Sequence, residues 1–421
     1  MTQALRVEAH REVLSRLVRA GLRFALLRGN LGGDDLDILV HPDDLAQVGK
    51  TLTPLGVHSA PSEHHWPHDL YVGYVPTSLA GPDGAAADDG GPEGARTQVV
   101  VDAVDRLLIR GLPLGSADVA VRLLKRRQFD DSGIPRLAAA DSAWVELLSA
   151  VLRRPRRPWE LPQAGSLPPE SLVAQCIDDI LGAGTAGLVV SDVEAGRRPQ
   201  IEATLDRLRL TTASVRFRLE RARARWFGRL GVGAVGSPGP GVRLVLLGPD
   251  GAGKSTLSAG LVEALPLPVH EIYMGVFRVD TWHRVSRYLP GAGLVTRLAR
   301  LRWRSTRALW YRRRGHVVVF DRYTYDAGLK PGSKGFRSRF SYWMIERACP
   351  PPELVILLDA PGAVMFARKH EHDVQTLEQR RQWYLAILRD LPNAVVIDAT
   401  QPAEEVLERA IRAFWLVYGT A

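Results

Sequence analysis

Apolar residues recur at helical spacing over 4–20, where Leu5, Val13, Leu14, Leu17 and Val18 share one face and Gly21 follows as a stop. Phe24-Ala25-Leu26-Leu27 is a short, uninterrupted apolar run, the pattern of a buried strand. A loose turn, Arg28 to Gly33, leads into a second strand, Asp34 to Val40. Further strands are expected at 70–75 and 98–104, on either side of a Gly-, Ala-, Asp- and Pro-rich excursion at 81–97 that reads as flexible. From 105 to about 150, and again over 168–230, the spacing reads as helical, interrupted by an Arg/Pro connector at 153–158.

The second half of the chain has a different rhythm. Apolar runs at 242–247, 269–274, 316–320, 354–359 and 394–398 alternate with helical stretches at 257–265, 280–314, 361–370 onward and 402–417. Strands that alternate with helices imply a parallel sheet covered on both faces. The expected fold class is α/β, with the parallel sheet confined to the second half. An α+β domain occupies 1–110, a helical middle region and Gly/Pro linker 111–238, and a parallel-sheet domain 239–421.

Composition changes this picture little. The chain has 421 residues, 46% of them hydrophobic, enough for two or three domains. Cys176 and Cys349 lie far apart and outside any metal spacing, so a reducing, cytoplasmic setting is expected, without a disulfide framework. No signal-peptide or membrane-spanning run is evident, so no membrane partner is expected. The net charge of +9 rests on arginine, since only six of the 55 basic residues are Lys. It points to an anionic partner, and nucleic acid is disfavoured because no basic motif is interleaved with aromatics.

The sharpest chemistry lies in Gly248-Pro249-Asp250-Gly251-Ala252-Gly253-Lys254-Ser255-Thr256, between a strand and a helix. The spacing G-x-x-x-x-G-K-S is that of a phosphate-cradling P-loop. Its glycines let several N–H groups face one anion, with a helix N-terminus behind them. Lys254 would reach the terminal phosphates of ATP, and Ser255 would offer its hydroxyl to Mg²⁺. Asp321 and Arg322 follow the strand at 316–320. Asp321 could serve the metal or place an acceptor, and Arg322 could clamp a phosphate bidentately. Asp326 is a candidate general base or a plain turn residue. Arginines crowd 297–314, either as a solvated face or as a wall for an anionic acceptor.

In the first half, Asp35 and Asp37 are two apart, so on a strand they share a face, and Asp102 on a later strand could join them. Carboxylates side by side repel, and a divalent metal would relieve that. The cluster His64, His65 and His68 reads as a solvated loop broken by Pro67 rather than a zinc site.

Two resemblances follow from these motifs. Residues 20–110 resemble the nucleotidyltransferase fold of the polymerase-β type, with a glycine turn, a D-x-D strand and a third acid. The turn here is Arg28-Gly29-Asn30 rather than Gly-Ser. Residues 241–421 resemble the thymidylate kinase family of P-loop kinases. The motifs are the loop at 248–256, D-R-Y at 321–323, L-L-D-A-P-G-x-V-x-x-A-R at 357–368 and I-D-A-T-x-P-x-E-E-V at 397–406. That resemblance implies that Asp250 contacts the acceptor, that Arg322 binds its phosphate, and that a lid beginning at Arg368, with Lys369, Arg380 and Arg381 behind it, closes over ATP. The family's R-E-P segment is replaced by Tyr273-Met274-Gly275, and its base-reading residues have no counterpart at 324–328.

The expected activity is thus ATP- and Mg²⁺-dependent phosphoryl transfer, with Lys254, Asp321, Arg322 and Arg368 as the catalytic set. The acceptor is a small, anionic molecule: a nucleotide, sugar phosphate or specialised metabolite. The alternatives are nucleotidyl transfer or bifunctionality through Asp35, Asp37 and Asp102, or an ATP-gated scaffold. A homodimer stays open.

Overall fold

Successive residues of the first strand enter opposite cores. Phe24 and Leu26 pack into one cluster, while Ala25 and Leu27 pack into another. A strand apolar at every position is buried on both faces, as the period of two requires. The computed structural model describes residues 2–28, 31–60, 69–76, 96–109, 112–114, 117–152, 167–168, 170–195, 215, 241–275, 292–329, 340–341, 343–345, 347–370, 372–389, 391 and 393–418. The chain divides into two compact units, Met1–Ser237 and Pro238–Ala421.

The first unit is built on a mixed seven-stranded sheet. Its elements are α1 (Thr2–Arg19), β1 (Phe24–Arg28), β2 (Leu36–Val40), α2 (Leu45–Leu52), β3 (Val57–Ser59), β4 (Asp69–Pro76) and β5 (Arg96–Val104), then a small hairpin, β6 (Leu108–Ile109) and β7 (Leu112–Pro113). There follow α3 (Ala117–Lys125), β8 (Gln128–Phe129), β9 (Pro135–Arg136), α4 (Ala139–Leu152), α5 (Leu172–Leu181) and α6 (Thr185–Glu194). The strand order is β3-β4-β5-β2-β1-β9-β8. Helices α1 and α2 cover one face, and α3 to α6 supply the core on the other.

The reading of 105–150 as helical needs correction. β8 and β9 form a hairpin in the middle of it, and β9 pairs in parallel with β1. The physical cause is the turn Asp130 to Gly133. Asp130 Oδ1 accepts from the amides of Ser132 and Ile134, and Gly133 takes φ +72°. The sheet therefore crosses the expected division at 110. Among the other expectations, the histidine cluster 64–68, the excursion at 81–95, the connector 153–158, helices within 201–230 apart from Val215, the linker up to 240 and the start of the basic stretch at 280–291 lie outside the described residues.

The second unit holds a five-stranded sheet. Its elements are β10 (Arg243–Leu247), α7 (Lys254–Ala264), β11 (Val269–Tyr273), α8 (Ala292–Arg312), β12 (Val317–Asp321), a 3₁₀ turn (Thr324–Leu329), β13 (Leu354–Asp359), α9 (Gly362–Lys369), α10 (Val374–Leu388), β14 (Ala394–Asp398) and α11 (Ala403–Tyr418). The order is β11-β12-β10-β13-β14, and every pairing is parallel. The first strand is central, and the chain winds outward from it in both directions. Such a reversal leaves a crevice at the carboxyl ends of the central strands. The glycine-rich loop leaves β10 there, and Asp321 and Asp359 end the two flanking strands.

Among the described residues no single helix is long and apolar enough to cross a membrane. Helices α5 and α6 are apolar enough only as a pair bent by 118°, and they pack their apolar residues into the first unit's core.

Candidate functional site

The loop after β10 is shaped by residues that cannot carry a side chain. Gly248, Gly251 and Gly253 all have positive φ, and Gly253 caps the start of α7. A Cβ on Gly251 would stand 2.5 Å from the carbonyl oxygen of Met365. The loop is therefore pressed against α9. Lys254, the first residue of α7, bends back over it and donates from Nζ to the carbonyls of Gly248 (2.7 Å) and Pro249 (2.8 Å). Burial lowers the affinity of this ammonium for its proton, and the charge of Asp250 opposes that effect. Ser255 and Thr256, next along the first turn, are exposed.

Asp250 is the hub of the site. Its Oδ1 accepts from Arg322 Nη2 at 2.8 Å, and its Oδ2 accepts from Arg380 Nη1 at 3.3 Å, with His372 Nε2 3.7 Å away. Burial raises the pKa of this carboxyl, but the fields of Arg322, Lys254 and Arg380 outweigh it and hold the group below its ordinary range. Arg322 sits at φ +65°, where a non-glycine residue is strained. Its Nη1 lies 3.9 Å from Asp326 Oδ2.

Asp326 is fully buried, and burial pushes its carboxyl up to about 6. Its Oδ1 accepts from the Tyr384 hydroxyl at 3.0 Å, while Oδ2 has no hydrogen-bond partner. Asp326 does lie in the 3₁₀ turn Thr324–Leu329, and its burial sets it apart from a solvated turn residue.

Helix α10 supplies three of these contacts from one face. Arg380 reaches Asp250, and Tyr384 reaches Asp326. Arg381 forms a fork on Asp359, Nε to Oδ1 at 2.6 Å and Nη2 to Oδ2 at 2.9 Å. Glu378 of the same helix accepts the Gly362 amide at 2.9 Å, which ties α10 to the start of α9. The helix itself is started by Asp373, whose Oδ1 accepts the Thr376 amide. Tyr384, Glu378 and His372 were not singled out from the sequence. The Asp373-x-x-Thr376 cap was the available signal that a second helix follows α9.

The sequence-derived candidates are thus only partly gathered. Lys254, Asp250 and Arg322 come together, and Asp321 lies close enough for its charge to act on Lys254. Arg368 does not join them. It lies near the end of α9 and donates to the Ala399 carbonyl at 2.9 Å, so the arginine on Asp250 is Arg380. The basic stretch has a mixed role: Leu301, Ser305 and Ala308 of α8 are buried, Arg312 pairs with Glu353 at 3.0 Å, and Arg314 stacks over Trp310.

In the first unit, Asp37 and Asp102 are in register on the parallel strands β2 and β5. By alternation they share the face of Leu39 and Val104, which is the α3–α6 face. Asp35 precedes β2, which begins only at Leu36, so the shared-strand placement of Asp35 and Asp37 does not hold. Among the described residues no group of three His, Cys, Asp or Glu side chains is placed to hold a metal ion.

No protein-family profile matches the chain. It is similar to a protein of Archaeoglobus fulgidus described as "Probable thymidylate kinase", with 30% identity over 99 residues. That stretch covers 22% of this chain and 50% of the other, so the chain spans about half the length of the curated relative it matches. The similarity supports a kinase-like region in this chain.

Proposed function

We propose that the second unit is an ATP- and Mg²⁺-dependent phosphotransferase acting on a small anionic acceptor. The observation that carries this reading is the position of Asp250. It lies in a glycine-rich loop at the crevice of a parallel sheet and holds two arginines beside the lysine that opens α7. The local similarity to a probable thymidylate kinase supports it.

The residues present fit such a cofactor. Gly248 and Gly251 leave no room for a Cβ against Leu358 and Met365, three loop glycines have positive φ, α7 begins at the loop, and two hydroxyls stand exposed on its first turn. Mg²⁺-ATP would supply the phosphoryl group and a divalent charge. The loop amides would hold the phosphates of ATP, and Lys254 would exchange its two carbonyl partners for phosphate oxygens. Ser255, Thr256 and Asp321 are the candidates for the metal side. Arg322 and Arg380 would turn from Asp250 toward anionic oxygens, with Asp250 as their resting counter-charge. In this chemistry the protein contributes placement and electrostatic stabilisation rather than covalent steps.

Asp37 and Asp102, in register on one sheet face, keep nucleotidyl transfer as a second reading for the first unit. One experiment separates the two. Purified protein is incubated with Mg²⁺-ATP and a panel of nucleoside monophosphates, nucleosides and sugar phosphates, and ADP and pyrophosphate are followed separately. Acceptor-dependent ADP supports the phosphotransferase and names its substrate class. Pyrophosphate that is lost in Asp37→Asn but kept in Lys254→Ala overturns it in favour of the first unit.

A further inference from the structure

A second cavity of the Pro238–Ala421 unit lies apart from the glycine-rich loop. It has a volume of about 690 Å³, and none of its lining residues belongs to 248–256. One wall is α8, with Arg302, Thr306 and Leu309. The opposite wall is the stretch Arg347 to Pro351, and Tyr323 and Tyr325 also line it.

The charge of this lining is one-sided. Two guanidinium groups from two separate elements border the cavity, and no Asp or Glu is among its described lining residues. Neither arginine has a carboxylate partner among the described residues. Arg347 lies over the Trp343 ring at 4.9 Å, and Arg302 acts electrostatically on the Cys349 thiol. Both arginines are exposed, and two like charges that border one concavity raise its positive potential, which an anion relieves. The planar fork of arginine matches phosphate and carboxylate oxygens. The rest of the lining is largely apolar or aromatic, with Leu309, Ala348, two prolines and two tyrosines. The volume is within the range of sites for small organic ligands.

We propose that this cavity binds a small phosphate-bearing molecule with an apolar or aromatic body, its anionic group held between Arg302 and Arg347 and its body packed against Tyr325, Leu309 and the prolines. The site is separate from the loop around Lys254. Tyr323 directly follows Arg322 in the chain, and its hydroxyl is fixed to the Pro350 carbonyl at 2.6 Å. A ligand leaning on Tyr323 and Tyr325 is therefore linked by a short backbone path to the guanidinium on Asp250.

The test uses the full chain and phenyl phosphate, the simplest probe of this class, in two measurements that need no turnover. Calorimetric titration reads affinity directly. Cys349 lines the cavity, and burial pushes its thiol up, so alkylation by iodoacetamide is followed at about pH 9 in a Cys176→Ser background, Cys176 being the chain's only other cysteine. Saturable binding that slows Cys349 alkylation is the expected result. Arg302→Gln and Arg347→Gln, each checked for native circular dichroism, should weaken binding by about tenfold or more. Lys254→Ala, which removes the loop's ammonium as a competing phosphate ligand, should leave the protection of Cys349 in place. The proposal is overturned if phenyl phosphate fails to bind, if it binds without protecting Cys349, or if affinity falls in Lys254→Ala and not in the two arginine variants. A failed kinase assay leaves all these readouts in place.

Discussion

Arg322 reaches Asp250 across 72 positions of sequence and donates to its carboxylate at 2.8 Å. The pair joins the end of β12 to the loop after β10, and it gives a strained arginine a fixed orientation. Removing the acceptor tests this. Asp250→Asn should keep the fold but release both Arg322 and Arg380. Acceptor-stimulated ATP turnover is expected to fall by about tenfold or more, mainly through the Michaelis constant of the acceptor, since positioning is lost rather than chemistry. Steady-state kinetics with saturating ATP checks the outcome. An unchanged Michaelis constant would remove Asp250 from the acceptor side.

Lys254→Ala removes the ammonium that closes over the loop. Loss of one preorganised charge at a phosphoryl-transfer site lowers turnover by roughly 10²-fold or more. ADP formation under single-turnover conditions, in protein with unchanged circular dichroism, reads this directly.

Two glycines should respond in opposite directions to the same substitution. Gly251 has φ +89°, and a Cβ there would meet a backbone carbonyl at 2.5 Å. Gly251→Ala is expected to cost about 2 kcal/mol or more and to displace the loop from α9. Gly187 lies inside α6 with nothing within 4 Å of a built Cβ. Gly187→Ala should stabilise by up to about 1 kcal/mol, because alanine loses less entropy in a helix. Urea unfolding monitored for each unit distinguishes the two.

The contrast between legible and hidden parts follows chain distance. The loop, its strand and its helix are contiguous, so spacing marks Lys254, and the family resemblance of the same stretch marks Asp250. The partners of Asp250 are not local: Arg380 is 130 residues away. Nothing in the pattern around Arg380 or Tyr384 shows that one will meet Asp250 and the other Asp326. Helix α10 also hides its apolar stripe, because it turns Arg380, Arg381 and Tyr384 toward acids at the carboxyl ends of the strands and buries only Leu377, Tyr384 and Leu388. The hairpin at 128–136 was missed because two-residue strands have no periodicity to read. Only its Asp-to-Gly turn was visible.

Glu353 tests the opposite end of the same sheet, at the start of its central strands. Its Oε2 accepts from the amide and Nε of Arg243, its Oε1 accepts from Arg243 Nη2 at 2.7 Å, and both side chains are largely buried. Glu353→Gln should destabilise by about 3 kcal/mol, since it leaves a guanidinium buried without its counter-charge. The double variant Arg243→Met/Glu353→Leu should recover only part of that loss, because the Arg243 amide and Arg312 also lose Glu353. Denaturant midpoints of the three variants settle whether the pair is coupled.

Asp326 gives the fold a pH dependence with a definite sign. Its carboxyl is at about 6 in the folded chain against an ordinary 3.8, and burial is the main cause. Between those two values the folded state keeps a proton that the unfolded state has lost. Stability therefore falls as pH rises from about 4 to 6 and levels off above that window, by an amount on the order of 3 kcal/mol. The lowered carboxyl of Asp250 contributes below this window, where it adds stability that is lost as the pH drops. Asp326→Asn keeps an acceptor for the Tyr384 hydroxyl and removes the titration. The stability difference between variant and parent should grow in the variant's favour from pH 4 to 6 and then stay constant. A difference that is flat across this range in urea unfolding would mean that the buried carboxyl does not titrate there, and that Arg322 rests beside an ionised Asp326 throughout.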